Sequence, residues 1–215
     1  MRPDLWLLLA LVCLPLICAQ TPPDYWPKTP RGLDVIFRDQ QLIQPGQLVL
    51  PDDAIDPPVF GRQGASVRQS YLAVMIDVEV NHEGTATPLV HWLQPDLKVR
   101  DPFPGRLARL SDEDVPYVGP RPVKGPRHTY VLLLFEQPTT YAFPGCFSST
   151  RPTSVDQRSG FNLAQFMHEA GLQEPIAASY FTARNEETPS APPPRVTTTS
   201  LSTAPCATPT RFVWC

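Results

Sequence analysis

Apolar residues in this chain gather in runs of a length typical of buried strands. Residues 71–80 pass through six apolar positions before the first charge, and residues 129–136 contain five apolar residues in a row. Such runs indicate strands covered on both faces of a sheet. Leu33, Val35 and Phe37 instead alternate with polar neighbours, which favours a strand with one buried face. Shorter strands are predicted at 47–50, 89–93 and 176–183.

One segment, residues 162–170, has the pattern of a helix. Asn162 is a favourable N-cap, Gln165 stands three residues later as in a capping box, and Gly171 occupies the usual C-terminal position. Segment 51–69 is interrupted by Pro, Gly and charge and is predicted to be a long loop, and segment 94–116 is polar and contains Pro. The pattern as a whole predicts a mainly β protein.

The N-terminal residues, 1–19, have the pattern of a secretory signal peptide. Arg2 precedes an apolar run at 5–12, Pro15 interrupts it, and Ala19 ends a suitable cleavage site. A retained membrane anchor is the alternative, but the run is shorter than the roughly 20 apolar residues that a span needs. The mature chain is therefore expected to be secreted, with vacuolar or cell-wall retention as a variant, and to have no transmembrane span.

Composition divides the rest of the chain into three parts. Residues 20–32 are a Pro-rich extension, residues 33–187 form the predicted domain, and residues 188–215 are rich in Thr, Ser and Pro. The last segment has too few apolar residues to offset the entropy of ordering and is predicted to be a disordered tail. The 28 Pro residues argue against a helical bundle.

Charge and cysteine content exclude several kinds of partner. The formal net charge is -3, so the chain has no overall basic surface for nucleic acid. Removal of the signal peptide leaves Cys146, Cys206 and Cys215, an odd number whose pairing the sequence leaves open. The cysteines have no zinc-site spacing, and neither a metal nor another cofactor is expected.

Two histidines and two carboxylates stand beside the predicted strands. His91 lies within one strand, His128 precedes another, and Asp77 and Glu79 share one face at the end of a third. Imidazole rings that face a cavity suit a phosphate or carboxylate, and a nearby acid fixes the orientation of such a ring. We expect Asp77 to orient one histidine and Glu79 to orient the other.

The segment 117–130, which leads into the second histidine, is a stiff loop in which Gly119 and Gly125 permit turns. Its prolines restrict the backbone, so it would lose little entropy on lining a binding site. Its cationic residues are Arg121, Lys124 and Arg127. In an acidic protein this local positive charge favours an anionic ligand.

These motifs together resemble the phosphatidylethanolamine-binding protein family, which includes Raf kinase inhibitor protein and carboxypeptidase Y inhibitors, and most of all its secreted fungal branch. The similarity covers roughly residues 33–185. It is carried by Leu-Val-His-Trp-Leu at 89–93, Tyr-x-Gly-Pro-x-Pro at 117–122, His-x-Tyr at 128–130, Phe-Glu-Gln at 135–137, and Arg158 followed by Phe-Asn-Leu at 161–163.

The resemblance implies a fold and a pocket. The fold is a large central antiparallel sheet with a second, smaller sheet and a few short peripheral helices. The implied ligand-binding residues are Asp77, His91, Pro122, His128 and Tyr130, and the implied supporting residues are Glu79, Tyr117, Gly119 and Arg121. The chain departs from the family pattern Asp-Pro-Asp-x-Pro, since it has Asp-Val-Glu-Val-Asn at 77–81, and it has Thr129 where Arg is usual.

The function that the resemblance implies is binding without catalysis. The ligand would be a small anion such as a phospholipid head group, and a serine carboxypeptidase or another protease is a further expected partner. A hydrolase that uses the His and Asp residues is one alternative, although no Gly-x-Ser-x-Gly motif is present. A protein–protein interaction module with a vestigial pocket is the other.

Overall fold

The structure, a computed structural model, describes residues 20–38, 42–79, 81–82, 85–101, 105–123, 125–147 and 154–185. The strands are β1 (Asp34–Ile36), β2 (Gln47–Leu48), β3 (Val59–Gly61), β4 (Tyr71–Asp77), β5 (Asn81–His82), β6 (Thr85–Ala86), β7 (Leu89–Asp101), β8 (Arg106–Arg109), β9 (His128–Glu136) and β10 (Ala177–Ala183). The helices are α1 (Val155–Arg158) and α2 (Leu163–Glu169), and short 3-10 turns lie at Pro51–Ala54 and Gly145–Phe147.

Eight of these strands form one sheet in the order β1-β3-β8-β7-β4-β9-β10-β2. All neighbours pair antiparallel except β10 and β2, which are parallel. Strands β5 and β6 form a separate two-stranded sheet. The predicted fold class is therefore confirmed, with one parallel edge pair that makes the large sheet mixed.

The central strands lie between two apolar layers, as their continuous apolar sequences predict. Every residue of β4 is buried, and alternate side chains enter opposite cores. Tyr71, Ala73 and Met75 belong to one core, whereas Leu72 and Val74 belong to the other. Helix α2 covers the second core through Leu163, Phe166 and Met167, while loops and edge strands close the first. The first core carries the candidate site.

The strand predicted at 89–93 is longer in the structure, because β7 continues to Asp101, and β8 follows where no strand was predicted. In the structure Tyr71 pairs with Leu97 and Ala73 with Gln94, so Pro95 lies in a bulge where no ladder hydrogen bond is required of it. The loop predicted at 51–69 likewise contains the Pro51–Ala54 turn and strand β3.

The predicted helix is confirmed together with its cap. The Asn162 side chain accepts a hydrogen bond from the Gln165 backbone N–H at 3.1 Å, and Gly171 has a positive φ of 65° after the last turn. Strand β4 is shorter than predicted and ends at Asp77. The next residues turn away because the Asp77 Oδ1 accepts the Glu79 backbone N–H at 2.9 Å.

Several sequence predictions fall on residues that the structure leaves undescribed. The signal peptide at 1–19, the whole tail at 188–215 with Cys206 and Cys215, and Lys124 lie outside the described residues. Cys146 is described and forms a disulfide. Within the described segments, no helix has the length and apolar character that crossing a membrane requires.

Candidate functional site

Asp77 and His128 meet where β4 and β9 pair, at the end of the sheet's central strands. Asp77 lies opposite Tyr130, two residues from His128. The His128 Nδ1 lies 2.8 Å from the Asp77 Oδ2, and both side chains are buried. Because a carboxylate only accepts hydrogen bonds, the Nδ1 of His128 carries the hydrogen. This bond fixes the orientation of the ring and leaves its Nε2 for another partner.

His91 owes its position to a β-bulge in β7. Met75 pairs with Trp92 and Ile76 with Val90, so His91 between them has no partner on β4. A bulge of this kind redirects a side chain that regular alternation would send elsewhere. The His91 Nδ1–H donates to the Val118 carbonyl at 2.7 Å, and the Val118 N–H donates back to the His91 carbonyl at 3.0 Å. The start of the Gly/Pro loop therefore orients His91.

Burial lowers the pKa of His91 below its ordinary value. The hydrogen bond to Val118 and the charge of Asp77 act in the opposite direction, whereas Arg158 and His128 lower the pKa further. Desolvation is the largest of these effects, so the imidazole is held in its neutral form. With Nδ1 as the donor, the His91 Nε2 is a hydrogen-bond acceptor at neutral pH.

Tyr130 contacts His91 directly and is linked to His128 through Asp77. Its ring contacts His91 edge-on at a centroid distance of 5.0 Å and stacks on Phe181 at 5.2 Å. Burial is the main reason that the pKa of Tyr130 is raised, and the charge of Asp77 and a hydrogen bond to it add to the shift. The phenol therefore stays protonated as a donor, and Asp77 is bonded to both Tyr130 and His128.

The loop that carries Val118 is fixed at its beginning. The Tyr117 hydroxyl donates to the Ala54 carbonyl at 2.7 Å, and the Tyr117 ring packs edge-on against Trp92. Gly119 approaches the same carbonyl so closely that a Cβ there would lie 2.5 Å from the Ala54 oxygen. Tyr117 and Gly119 thus hold the loop on the Pro51–Ala54 turn, and a glycine is needed for this approach.

The structure separates the predicted site residues into two groups. Asp77, His91, His128 and Tyr130 are connected by hydrogen bonds or ring contacts, and Pro122 is buried in the loop beside them in sequence. The supporting residues Glu79 and Arg121 are exposed. Glu79 was expected to orient the second histidine, but the Val118 carbonyl holds His91, because Glu79 follows the turn that ends β4.

Arg158 is a site residue that the sequence analysis did not assign. It is buried, and its guanidinium donates to the Val90 carbonyl at 3.4 Å and the His91 carbonyl at 3.1 Å. Burial lowers its pKa. The side chain thereby holds the bulge that presents His91. Sequence alone gave no local signal for this role, because the contact crosses from α1 to β7.

The arrangement is suited to a small anion with hydrogen-bonding oxygens. Two buried imidazoles have their Nδ1 atoms engaged by Asp77 and Val118, and neither Nε2 has a hydrogen-bond partner among the described residues. Across the described segments, no group of three His, Cys, Asp or Glu side chains is placed to hold a metal ion. The two Nε2 atoms can exchange hydrogen bonds and protons with such an anion.

A chain with this sheet and this pair of histidines matches a known family. A family model described as phosphatidylethanolamine-binding protein matches residues 37–181. The chain therefore belongs to the phosphatidylethanolamine-binding protein family. Phomoidride biosynthesis cluster protein N of Talaromyces stipitatus is 36% identical over 177 residues, which are 76% of this chain and 89% of that protein. CEN-like protein 1 of Nicotiana tabacum is 30% identical over 159 residues, or 72% and 81% of the two chains.

Solved structures agree on the fold. Carboxypeptidase Y inhibitor, in complex with its cognate proteinase, superposes with a TM-score of 0.55 and 19% identity, covering 74% of this chain and 85% of that one. The phosphatidylethanolamine-binding protein of Plasmodium vivax gives a TM-score of 0.54 at 16% identity, covering 72% and 85%. At these identities the similarity concerns the fold alone.

Proposed function

We propose that this chain is a non-catalytic binding protein whose pocket takes a phosphate- or carboxylate-bearing ligand, of which a phospholipid head group is one example. The observation that carries the proposal is the pair of buried histidines with engaged Nδ1 atoms, His91 on Val118 and His128 on Asp77. Rings held in this way are preorganised, so binding costs little side-chain entropy.

The two rings would play different parts toward such a ligand. His128 is bonded to a carboxylate, so a protonated His128 is charge-paired and its Nε2–H would donate to an anionic oxygen. His91 is neutral because burial lowers its pKa, and its Nε2 would accept a hydrogen bond. A phosphate monoester with one proton offers both an acceptor oxygen and an O–H donor. The pocket is therefore suited to the monoprotonated form of a phosphate or to a carboxylic acid.

Calorimetric titration of phosphorylethanolamine into the protein tests the proposal. We expect saturable binding that strengthens as the pH is lowered from about 8 to 6, because the second pKa of a phosphate monoester is near 6. The variant His128→Gln should lose binding, whereas His168→Gln, whose side chain is 85% exposed, should keep it. Absence of binding at about 5 mM ligand would contradict the proposal, since this concentration reveals even weak affinity.

We place this function outside the cytoplasm, as the signal-peptide pattern at 1–19 predicts. The disulfide at Cys146 supports this compartment, because disulfides persist in oxidising environments. Expression with residues 1–19 attached, followed by N-terminal sequencing of the protein recovered from the medium, tests it. A mature N-terminus near Gln20 is expected, and retention of the intact chain in the cells would contradict it.

Protease inhibition remains a prediction from the sequence resemblance. The solved carboxypeptidase Y inhibitor shares the fold, and at 19% identity it supports no more than that for this chain. An assay of serine carboxypeptidase activity with increasing amounts of the protein decides the matter. Stoichiometric inhibition is the expected result if a protease is the partner, and full activity at a large excess of the protein would exclude the enzyme that is assayed.

A catalytic role is the second candidate, and the Asp77–His128 pair favours it. An imidazole oriented by a buried carboxylate is the usual arrangement of a general base. The name of the Talaromyces stipitatus relative places that protein in a biosynthesis cluster, which favours a small molecule as the substrate. Turnover of p-nitrophenyl acetate or phosphate that is lost in His128→Gln would support catalysis, and rates equal to those of the variant would favour binding.

A further inference from the structure

A cavity lies beside the sheet, and none of the five predicted ligand-binding residues lines it. Its volume is about 360 Å³, and strands β3, β7 and β8 form its walls. Its apolar lining residues Phe60, Trp92, Leu97 and Leu107 are buried, whereas Val59 is 44% exposed. The volume is at the small end of the range for ligand pockets, roughly 300 to 1,000 Å³. A compact organic molecule would fill it.

Three arginines, Arg100, Arg106 and Arg109, line this cavity in a protein whose net charge is -3. Guanidinium groups are the cations best matched to carboxylate and phosphate oxygens, because their planar N–H groups donate in pairs. Positive charge that accumulates over an apolar cavity, against the overall sign of the protein, favours an anionic ligand with an apolar body.

The arginines differ in how far their charges are already satisfied. Arg109 lies 3.6 Å from the Glu113 carboxylate and places its guanidinium 6.0 Å from the centre of the Trp92 ring. Arg100 and Arg106 have no ion-pair partner among the described residues. Two cations of the cavity are therefore available to a ligand, while the third forms part of the wall.

A β-bulge in β7 positions Arg100, just as another bulge in the same strand positions His91. Val99 pairs with Leu107 and Asp101 with Arg106, so Arg100 between them lies in a bulge. Strand β7 thus contains one bulge at the histidine pocket and another at the arginine cavity. Trp92 adjoins both sites, because it follows His91 in sequence, packs at nearly a right angle to the Tyr117 ring and lines the cavity.

We infer that this cavity is a second ligand site, for a small aromatic or otherwise flat organic acid. The carboxylate, or a sulfonate or phosphate in its place, would bind Arg100 and Arg106. The apolar body would lie over Val59 and Ala108, the apolar lining residues that are not buried, beside the planar Arg109 guanidinium. The site is separate from the histidine pocket and does not depend on the function proposed for that pocket.

Titration with 2-naphthoate tests the inference. The Trp92 indole N–H donates to Glu113 at 2.9 Å, so its NMR signal is a local probe of the cavity. We expect this signal to shift with a saturable curve. The double variant Arg100→Gln/Arg106→Gln should weaken binding about tenfold or more, because two charge-assisted hydrogen bonds are lost. Arg68→Gln, an exposed arginine outside the cavity, is the matched control and should bind as the parent does.

Two further arms separate this site from its alternatives. His128→Gln should bind 2-naphthoate normally, and loss in that variant would place the acid in the histidine pocket. The neutral 2-naphthamide should bind at least about tenfold more weakly than 2-naphthoate, because it lacks the charge that the arginines recognise. Equal affinity for both molecules, equal weakening in Arg68→Gln, or no saturable shift at about 5 mM would overturn the inference.

Discussion

The two histidines of the candidate site are held in place by different partners. On the β4–β9 side, a carboxylate binds His128; on the β7 side, a backbone carbonyl of the loop binds His91. Both rings are buried to the same degree, with about 6% of each residue exposed. The chemical difference therefore arises from the partner. The Nδ1 of His128 is bonded to the Asp77 carboxylate, whereas His91 depends on loop geometry and is kept neutral by desolvation.

This difference predicts which substitutions disturb which side. On the β4–β9 side, His128 depends on the Asp77 carboxylate. Loss of this carboxylate would leave His128, Tyr130 and the Glu79 N–H without their hydrogen-bond acceptor. The β7 side depends on a bulge, on Arg158, and on a loop fixed to a neighbouring turn. A change far from the His91 ring can therefore displace that ring, whereas His128 responds mainly to its direct partner.

Removal of the carboxylate should have the largest effect. Asp77→Ala is expected to lower the free energy of unfolding by about 3 kcal/mol, because a buried pair is broken. The variant also loses the acceptor for Tyr130 and for the Glu79 N–H. Urea unfolding measures the change. Asp56→Ala, whose side chain is 73% exposed and pairs with Arg38, is the matched control and should change stability by less than about 1 kcal/mol. Equal losses in both variants would contradict this account.

Displacement of the loop should have a smaller effect and should act on His91. In Gly119→Ala the new Cβ would lie 2.5 Å from the Ala54 oxygen, so the loop must shift at a cost of about 2 kcal/mol. The same shift should move the Val118 carbonyl and change the NMR signals of His91 more than those of His128.

The control for that variant is Gly145→Ala, since a Cβ at Gly145 has no atom within 4 Å. Its unfolding curve and its histidine signals should match those of the parent. If Gly119→Ala left the His91 signals unchanged while it lowered stability, the loop would not be what holds His91.

The effect of pH should be the smallest and should separate the two rings. Because the folded pKa of His91 is lower than its unfolded value near 6.5, the unfolded chain binds more protons in the interval between them. The contribution of His91 to stability is complete above about pH 6.5 and is lost as the pH falls through the folded pKa, by at most about 1.4 kcal/mol per pH unit.

Urea unfolding of the parent and of His91→Gln at several pH values measures this contribution. The difference between the two proteins should shrink between about pH 7.5 and 5. A difference that stays constant, or that grows toward acid, would show that the imidazole is not held neutral.

The sequence predicted the framework well because buried strands leave a strong pattern. The runs at 71–80 and 129–136, and the helix cap at Asn162, are local signals that tertiary contacts did not override. The predicted strand at 89–93 covers only the first part of β7. Pro95 is compatible with a strand only at an edge or a bulge, and bulges leave no signature in an apolar pattern.

The site was predicted less completely, because contacts between distant segments leave no local pattern in the sequence. The members of the pocket came from motif resemblance, while their partners depend on contacts between distant segments. The Val118 carbonyl is available to His91 only because the loop is bound to Ala54, and Arg158 reaches β7 from 67 residues away. Every residue has a backbone carbonyl, so no sequence pattern could have assigned the orienting role to Val118 in place of Glu79.

The most direct test of the account observes the ring nitrogens themselves. In protein labelled with ¹⁵N-histidine, correlation spectra distinguish protonated from unprotonated nitrogens at each ring. The account predicts a hydrogen on Nδ1 of both His91 and His128, a free lone pair on the His91 Nε2, and shifts of both Nε2 signals along one saturation curve as phosphorylethanolamine is added, with the exposed His168 unaffected. A His91 that carries its hydrogen on Nε2, or a ligand response at only one of the two rings, would contradict it.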